Sequence, residues 1–192
     1  MARRQRIFIA LELTEHVRKR LTQLQETLTR AGTTLKWVEP DNFHLTLLFL
    51  GEIDERELVD VCRAVQREAE QFSPFVMGIG ELGCFPTPRR PRVVWVGVDE
   101  GAEQVIAVHD AIEEALLDLG CYRRENRRYT PHVTLGRVKG KESTADLSQL
   151  VSKKAEWHAG EVSVGEVLVF SSELTSQGPV YTVVSRAKLG SS

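Results

Sequence analysis

The feature that most restricts how this chain can fold is that its second half repeats the order of its first. The histidines at 44 and 132 are 88 residues apart. The same offset pairs Val17 with Val105, Leu24 with Ile112, Leu28 with Leu116, Leu45 with Val133 and Leu47 with Leu135. It also pairs Phe8 with Val96 in the first strand of each half, and carries Asp54 and Glu57 close to the helix expected after Ser143. One gap-free offset that matches helix faces, strands and polar residues together reads as two βαββαβ-like lobes about a pseudo-twofold axis. The period is too long, and two copies too few, for a solenoid. The expected class is α+β: one domain over 1–192, two intertwined lobes of mixed or antiparallel sheet, and outer helices around a central cleft.

The elements follow from periodicity and punctuation. Residues 6–13 read as a strand, Thr14 as an N-cap, and Val17, Leu21, Leu24 and Leu28 as one helix face ended by Gly32. Strands are expected at 35–38 and at 44–50, the latter closed by Gly51. Asp54 with Glu57 forms a capping box for a helix bearing Leu58, Val61, Cys62, Val65 and Ala69. A strand over 74–82 precedes a Pro/Arg loop at 85–92. Further strands are expected at 93–98 and 131–138, with a helix between them stopped by Gly120. A short helix over 144–154 buries Leu147, Leu150 and Val151. Two last strands are expected near 161–171 and 180–189.

Composition excludes several functions. Apolar residues make up 42% of 192 and charged residues 27%, so the chain can bury a core without disulfides or metal. A net charge of −2 argues against coating nucleic acid by bulk electrostatics, though not against gripping one phosphate locally. Cys62, Cys84 and Cys121 include no C-x-x-C pair and fit a reducing, cytoplasmic setting. The apolar stretch near the start is broken by Glu12 and is not expected to be a signal peptide. No run approaches the ~18 apolar residues of a membrane span.

The repeat carries one polar pair twice: His44-Leu45-Thr46-Leu47 and His132-Val133-Thr134-Leu135. On a strand, residues i and i+2 share a face. Each histidine therefore points with its threonine, and the aliphatic residues point into the core. If the pseudo-twofold axis runs between the two strands, two imidazoles and two hydroxyls line one cleft. Two histidines across a small substrate can act as general base and general acid, and both protonation states of histidine are accessible near neutrality. Threonine hydroxyls can donate to oxygens that gain charge in the transition state. A phosphodiester suits this set, with two non-bridging oxygens and an in-line axis from nucleophile to leaving oxygen. No carboxylate cluster supplies magnesium ligands, and no third ligand completes a zinc site, so neither metal nor cofactor is expected. His16, His109 and His158 lack a threonine at i+2 and are read as structural. Trp37 and Trp95 are read as core.

The paired H-x-T motifs and their flanks resemble the two-histidine (2H) phosphoesterases, in the branch of RNA 2′,3′-cyclic phosphodiesterases also called 2′-5′ RNA ligases. The flanks are R-I-F-I-A-L-E-L near the start, W-V-E-P-D-N-F-H-L-T-L-L-F-L-G at 37–51, P-R-V-V-W-V-G-V at 91–98, P-H-V-T-L-G-R-V-K at 131–139, G-E-V-L-V-F-S-S-E-L at 165–174 and G-P-V-Y at 178–181. The resemblance implies a bilobal fold and metal-independent hydrolysis of RNA 2′,3′-cyclic phosphate ends, tRNA fragments among them, to 2′-phosphates. It also implies reversible 2′-5′ joining. Under it the 3′ oxygen leaves, His44 protonates it, His132 activates water, and Thr46 and Thr134 hold the phosphate. Pseudo-symmetry leaves acid and base interchangeable on the residues alone. The family's arginine five residues after the second histidine matches Arg137. Strand parity puts Arg137 on the face opposite His132, so it reaches the phosphate only if Gly136 forms a bulge or the strand ends there. Tyr129 is expected to stack on the terminal base. The arginines at 89, 90, 92, 123, 124, 127 and 128 read as solvated loops that could steer RNA. The rival readings are a phosphoesterase for a small cyclic phosphate such as ADP-ribose cyclic phosphate, a non-catalytic RNA-end binder, and a metal-dependent hydrolase. A monomer without a protein partner is expected.

Overall fold

The structure is a computed structural model and describes residues 4–30, 35–87, 90–124, 128–138, 145–154, 156–176 and 178–190. Its strands are β1 (Arg4–Glu12), β2 (Leu35–Trp37), β3 (His44–Asp54), β4 (Phe75–Phe85), β5 (Val93–Glu100), β6 (His132–Val138), β7 (His158–Val164), β8 (Glu166–Thr175) and β9 (Gly178–Lys188). Its helices are α1 (Glu15–Arg30), α2 (Glu55–Ala69), α3 (Ala102–Asp118) and α4 (Ala145–Lys153), with a 3₁₀ turn at Pro40–Asn42. One sheet has the order β3-β1-β8-β9 and the other β2-β6-β5-β4-β7. All seven strand pairings among the described residues are antiparallel.

Local chemistry sets the helix ends. The Thr14 hydroxyl accepts from the Val17 amide at 3.3 Å, and Asp54 and Glu57 form a complete capping box. Gly120, at φ +70°, follows α3 in the left-handed conformation that ends helices. Val17, Leu21, Leu24 and Leu28 of α1 and Val105, Val108, Ile112 and Leu116 of α3 are buried in one cluster with Ile7, Ile9, Leu45, Leu47, Val133 and Leu135. Val151 of α4 is buried there and Leu150 packs against it. The side chain of Leu147, expected beside them, and Gly32, the expected stop of α1, lie outside the described residues.

Three boundaries differ from the expectation. Strand β3 continues through Gly51 to Asp54, because Gly51 adopts φ +75° and lets the strand bend instead of ending. Strand β4 runs on to Phe85, so the Pro/Arg loop begins one residue later. The stretch 161–171 is not one strand: the chain changes sheets at Gly165, with β7 beside β4 and β8 beside β1. A single residue between two β-rich runs leaves no break in periodicity to read.

The repeat is not gap-free. In the first sheet Glu12 lies opposite His44 and Ala10 opposite Thr46. In the second, Gly97 lies opposite His132 and Trp95 opposite Thr134. By register, then, β1 and β5 are related by 85 residues, and Phe8 corresponds to Val93, not Val96. Three extra residues sit between strand and helix in the second copy, where Gly101 at φ +72° opens α3. The copies also exchange strands: β2 and β4 of the first join the second sheet, beside β6 and β5, and β8 and β9 of the second join the first sheet, with β8 beside β1.

Candidate active site

Each H-x-T motif begins a strand, and the two imidazoles are held alike. The Nδ1–H of His44 donates to the Asn42 carbonyl at 2.8 Å. The Nδ1–H of His132 donates to the Thr130 carbonyl at 2.7 Å. The acceptor is two residues upstream in both cases. A carbonyl only accepts, so both rings carry hydrogen on Nδ1 and leave Nε2 for other chemistry. His44 is wedged against Phe8, ring centres 4.8 Å apart, with Tyr181 edge-on at 5.3 Å. His132 meets Phe85 edge-on at 5.1 Å and Trp95 at 6.0 Å. Trp95, expected in the core, is half-buried on the same sheet face as His132 and Thr134.

Burial dominates the electrostatics. Desolvation lowers the pKa of His44 to about 4, opposed by its bond to Asn42, with the charges of Arg18 and His132 lowering it further. The pKa of His132 is lowered as well, by burial first and then by the charge of Arg137. That His44 responds to the charge of His132 places the two rings in one electrostatic environment. Thr46 and Thr134 are both half-buried, as are the histidines they follow.

Arg137 reaches this face because of a bulge. In β6, Trp95 pairs with Thr134 and Val94 with Gly136, which leaves Leu135 unpaired. Leu135 and Gly136 are consecutively buried, and Arg137 emerges on the side of His132 and Thr134. The bulge that Arg137 needs to turn toward His132 thus sits across Leu135–Gly136. Glycine is needed there because a Cβ would lie 2.8 Å from the Trp37 ring. Burial raises the pKa of the Tyr181 hydroxyl, and the charges of Arg137 and Arg6 oppose that rise.

Strand β3 carries the matching bulge. Ala10 pairs with Thr46 and Ile9 with Leu48, so Leu47 is unpaired. The residue that this turns onto the cleft face is Phe49, 46% exposed, with the Arg6 guanidinium 5.4 Å from its ring centre. Phe49 stands 88 residues before Arg137, so the repeat offset that locates the histidines could also find it. Tyr181 lies within the G-P-V-Y flank, where sequence alone gives it no role. Nothing in the sequence places Trp95 on the sheet face of His132.

Tyr129 does not have the freedom expected of a base-stacking residue. Its hydroxyl donates to the Thr46 carbonyl at 2.8 Å. One ring face lies flat on His109, with centres 3.8 Å apart and planes within 4°. His158 donates to Asp99 at 2.7 Å. Arg124 pairs with Glu113 and Glu114, which accounts for it as a structural residue. Arg89 and Arg127 lie outside the described residues. Among the described residues no cluster of three His, Cys, Asp or Glu side chains is placed to hold a metal ion. None of their helices is long and apolar enough to cross a membrane.

Comparison with known proteins shows the family to which the chain belongs. The model of the LigT like Phosphoesterase family matches residues 11–95 and again 96–181, start points 85 residues apart. An RNA 2′,3′-cyclic phosphodiesterase of Methanothermobacter thermautotrophicus is 37% identical over 177 residues, 92% of this chain and 95% of its own. One of Aeropyrum pernix is 36% identical over 173 residues, 90% and 97%. The crystal structure of TT0787 of Thermus thermophilus superposes with a TM-score of 0.81 at 31% identity, covering 97% of this chain and 98% of that one. The doubled motif, the doubled family match and the shared fold make this chain a member of the LigT-like phosphoesterases, the two-histidine family its sequence resembles.

Proposed function

We propose that the chain hydrolyses RNA 2′,3′-cyclic phosphate ends to 2′-phosphates by acid–base catalysis between His44 and His132. The observation that carries this reading is the matched pair of Nδ1–H bonds to carbonyls two residues upstream, which presents both Nε2 atoms for proton transfer. The relatives from Methanothermobacter and Aeropyrum, matched over nine-tenths of the chain or more, bear the name of this activity.

Water attacks phosphorus as neutral His132 takes its proton at Nε2. The P–O3′ bond breaks as protonated His44 delivers a proton to O3′ from Nε2. Thr46 and Thr134 donate to the non-bridging oxygens, and Arg137 offsets the charge that gathers there. His132 finishes protonated and His44 neutral, and exchange with solvent restores both. A 5′-hydroxyl in place of water gives a 2′-5′ linkage by the same proton movements.

The exposed Phe49 ring supports the assignment of acid and base. A cyclic nucleotide carries its base and its leaving oxygen on one ribose. A base stacked on Phe49 brings that ribose to the H-x-T strand of His44, since both residues belong to β3. The opposite side, with His132, is left for water.

The test is a short RNA with a 2′,3′-cyclic phosphate end, incubated with the protein and excess EDTA. A 2′-phosphate product that vanishes in His44→Ala and His132→Ala is expected. A 3′-phosphate would reverse the leaving oxygen, and loss of activity with EDTA would overturn the metal-free mechanism.

A further inference from the structure

Two polar side chains are buried among the described residues, Gln25 at 7% exposure and His109 at 6%. Burying such groups is costly unless they are bonded or stacked. Neither belongs to the H-x-T motifs, yet both lead to them.

Gln25 lies on α1, in the first repeat. Its Nε2 donates to the Leu135 carbonyl at 3.0 Å and to the Val38 carbonyl at 2.9 Å. Leu135 is the unpaired residue of the β6 bulge, in the second repeat. The same carbonyl accepts the Val38 amide at 2.8 Å. This carbonyl faces β2, on the side of β6 away from β5, and there it is taken by two donors from the first repeat.

Tyr129 supplies the reverse connection. It belongs to the second repeat, and its hydroxyl donates to the Thr46 carbonyl, next to the unpaired Leu47 of the β3 bulge. Its ring is fixed by the stack on His109, whose Nδ1–H is held by Asp110 at 2.7 Å. Thr130, the next residue, offers the carbonyl that orients His132.

We propose that Gln25 and Tyr129 are reciprocal positioning residues, each holding the bulge of the other repeat so that Arg137 and Phe49 stay on the cleft face. Gln25 acts through Leu135 on Arg137. Tyr129 acts through Thr46 on Phe49, and through its own loop on His132. The kinetic part of this proposal rests on the phosphodiesterase reading; the structural part does not.

The first variant is Gln25→Met, which keeps the volume, removes both donors and leaves Leu135 bonded to Val38. Misplacement of a substrate-holding group by about 1 Å costs on the order of a hundredfold in rate, so kcat/KM on cyclic-phosphate RNA is expected to fall by roughly ten- to a hundredfold. The loss should vanish in an Arg137→Ala background, because the two changes act through one group. Arg137 lowers the pKa of His132, so the His132 ring followed by NMR should titrate at higher pH in Gln25→Met, as it should in Arg137→Ala. This reading needs no substrate. A protein inactive on RNA whose His132 still responds in this way would refute the phosphodiesterase reading and keep the brace.

Tyr129→Phe keeps the stack and loses one hydroxyl. It should lower kcat/KM in the native background and by less in Phe49→Ala, and it decides the question if Gln25→Met does not fold. A Gln25→Met protein with native His132 titration and native kcat/KM would overturn the proposal. So would losses that multiply with those of Arg137→Ala.

Discussion

The depressed pKa of His44 makes the acid step depend on the substrate's own charge. Free His44 titrates at about 4, chiefly because burial penalises the imidazolium. At pH 7 only about one free molecule in a thousand carries the proton that the leaving oxygen needs. A phosphodiester anion reverses this. One negative charge about 4 Å from the ring, at an effective dielectric constant of about 20, is worth about 4 kcal/mol. That raises the imidazolium population about a thousandfold. The profile of kcat/KM reports the free enzyme and that of kcat the bound one. The His44 ring should therefore titrate on the order of 2–3 pH units higher with a phosphate anion bound than without, and kcat should hold to higher pH than kcat/KM. The assay is initial rate on a cyclic-phosphate dinucleotide from about pH 4 to 9, beside NMR titration of His44 with and without inorganic phosphate. Coincident alkaline limbs, or a free His44 that titrates at the ordinary histidine value of 6.5, would refute this reasoning.

The same shift bears on folding. The native state favours neutral His44, so its contribution is fully present above pH 6.5 and is lost as the pH falls toward about 4. Urea unfolding should show about 2 kcal/mol of stability lost to this group by about pH 5, a loss absent in His44→Gln; equal acid sensitivity of the two proteins would count against it. Phe49→Ala should raise KM on cyclic-phosphate RNA by about tenfold with kcat near native, as expected for one lost base stack. An unchanged KM would remove Phe49 from base binding. Thr46→Ala and Thr134→Ala should each cost on the order of a hundredfold in kcat, and a variant with native kcat would show that its hydroxyl does not meet the phosphate.

Much of the site is legible in the sequence because the repeat doubles its signal. One H-x-T is a common strand pattern; two at the same place in the repeat single out His44, Thr46, His132 and Thr134 on sequence grounds alone. Arg137 can be reached only conditionally, since strand parity sends it the wrong way and a bulge has no spelling of its own beyond Gly136. Phe49 is hidden by the same parity rule. Tyr129 misleads because an aromatic beside an H-x-T motif reads the same whether it faces solvent or packs on a helix; His109, its partner, lies in an element 20 residues upstream. The sheet assignment of 158–175 is out of reach, since residues on either side of Gly165 have the same β character and separate only through partners far along the chain.

The exchanged strands have a consequence for how such a molecule could arise and how it can move. One copy of the repeat alone would have a vacancy beside its first strand and a fourth strand with no sheet to join. Two copies settle both needs at once, in the manner of a domain-swapped dimer whose protomers were later fused. In the present chain the two histidines cannot be drawn apart by hinging the halves, because each half would have to surrender a strand of its neighbour's sheet.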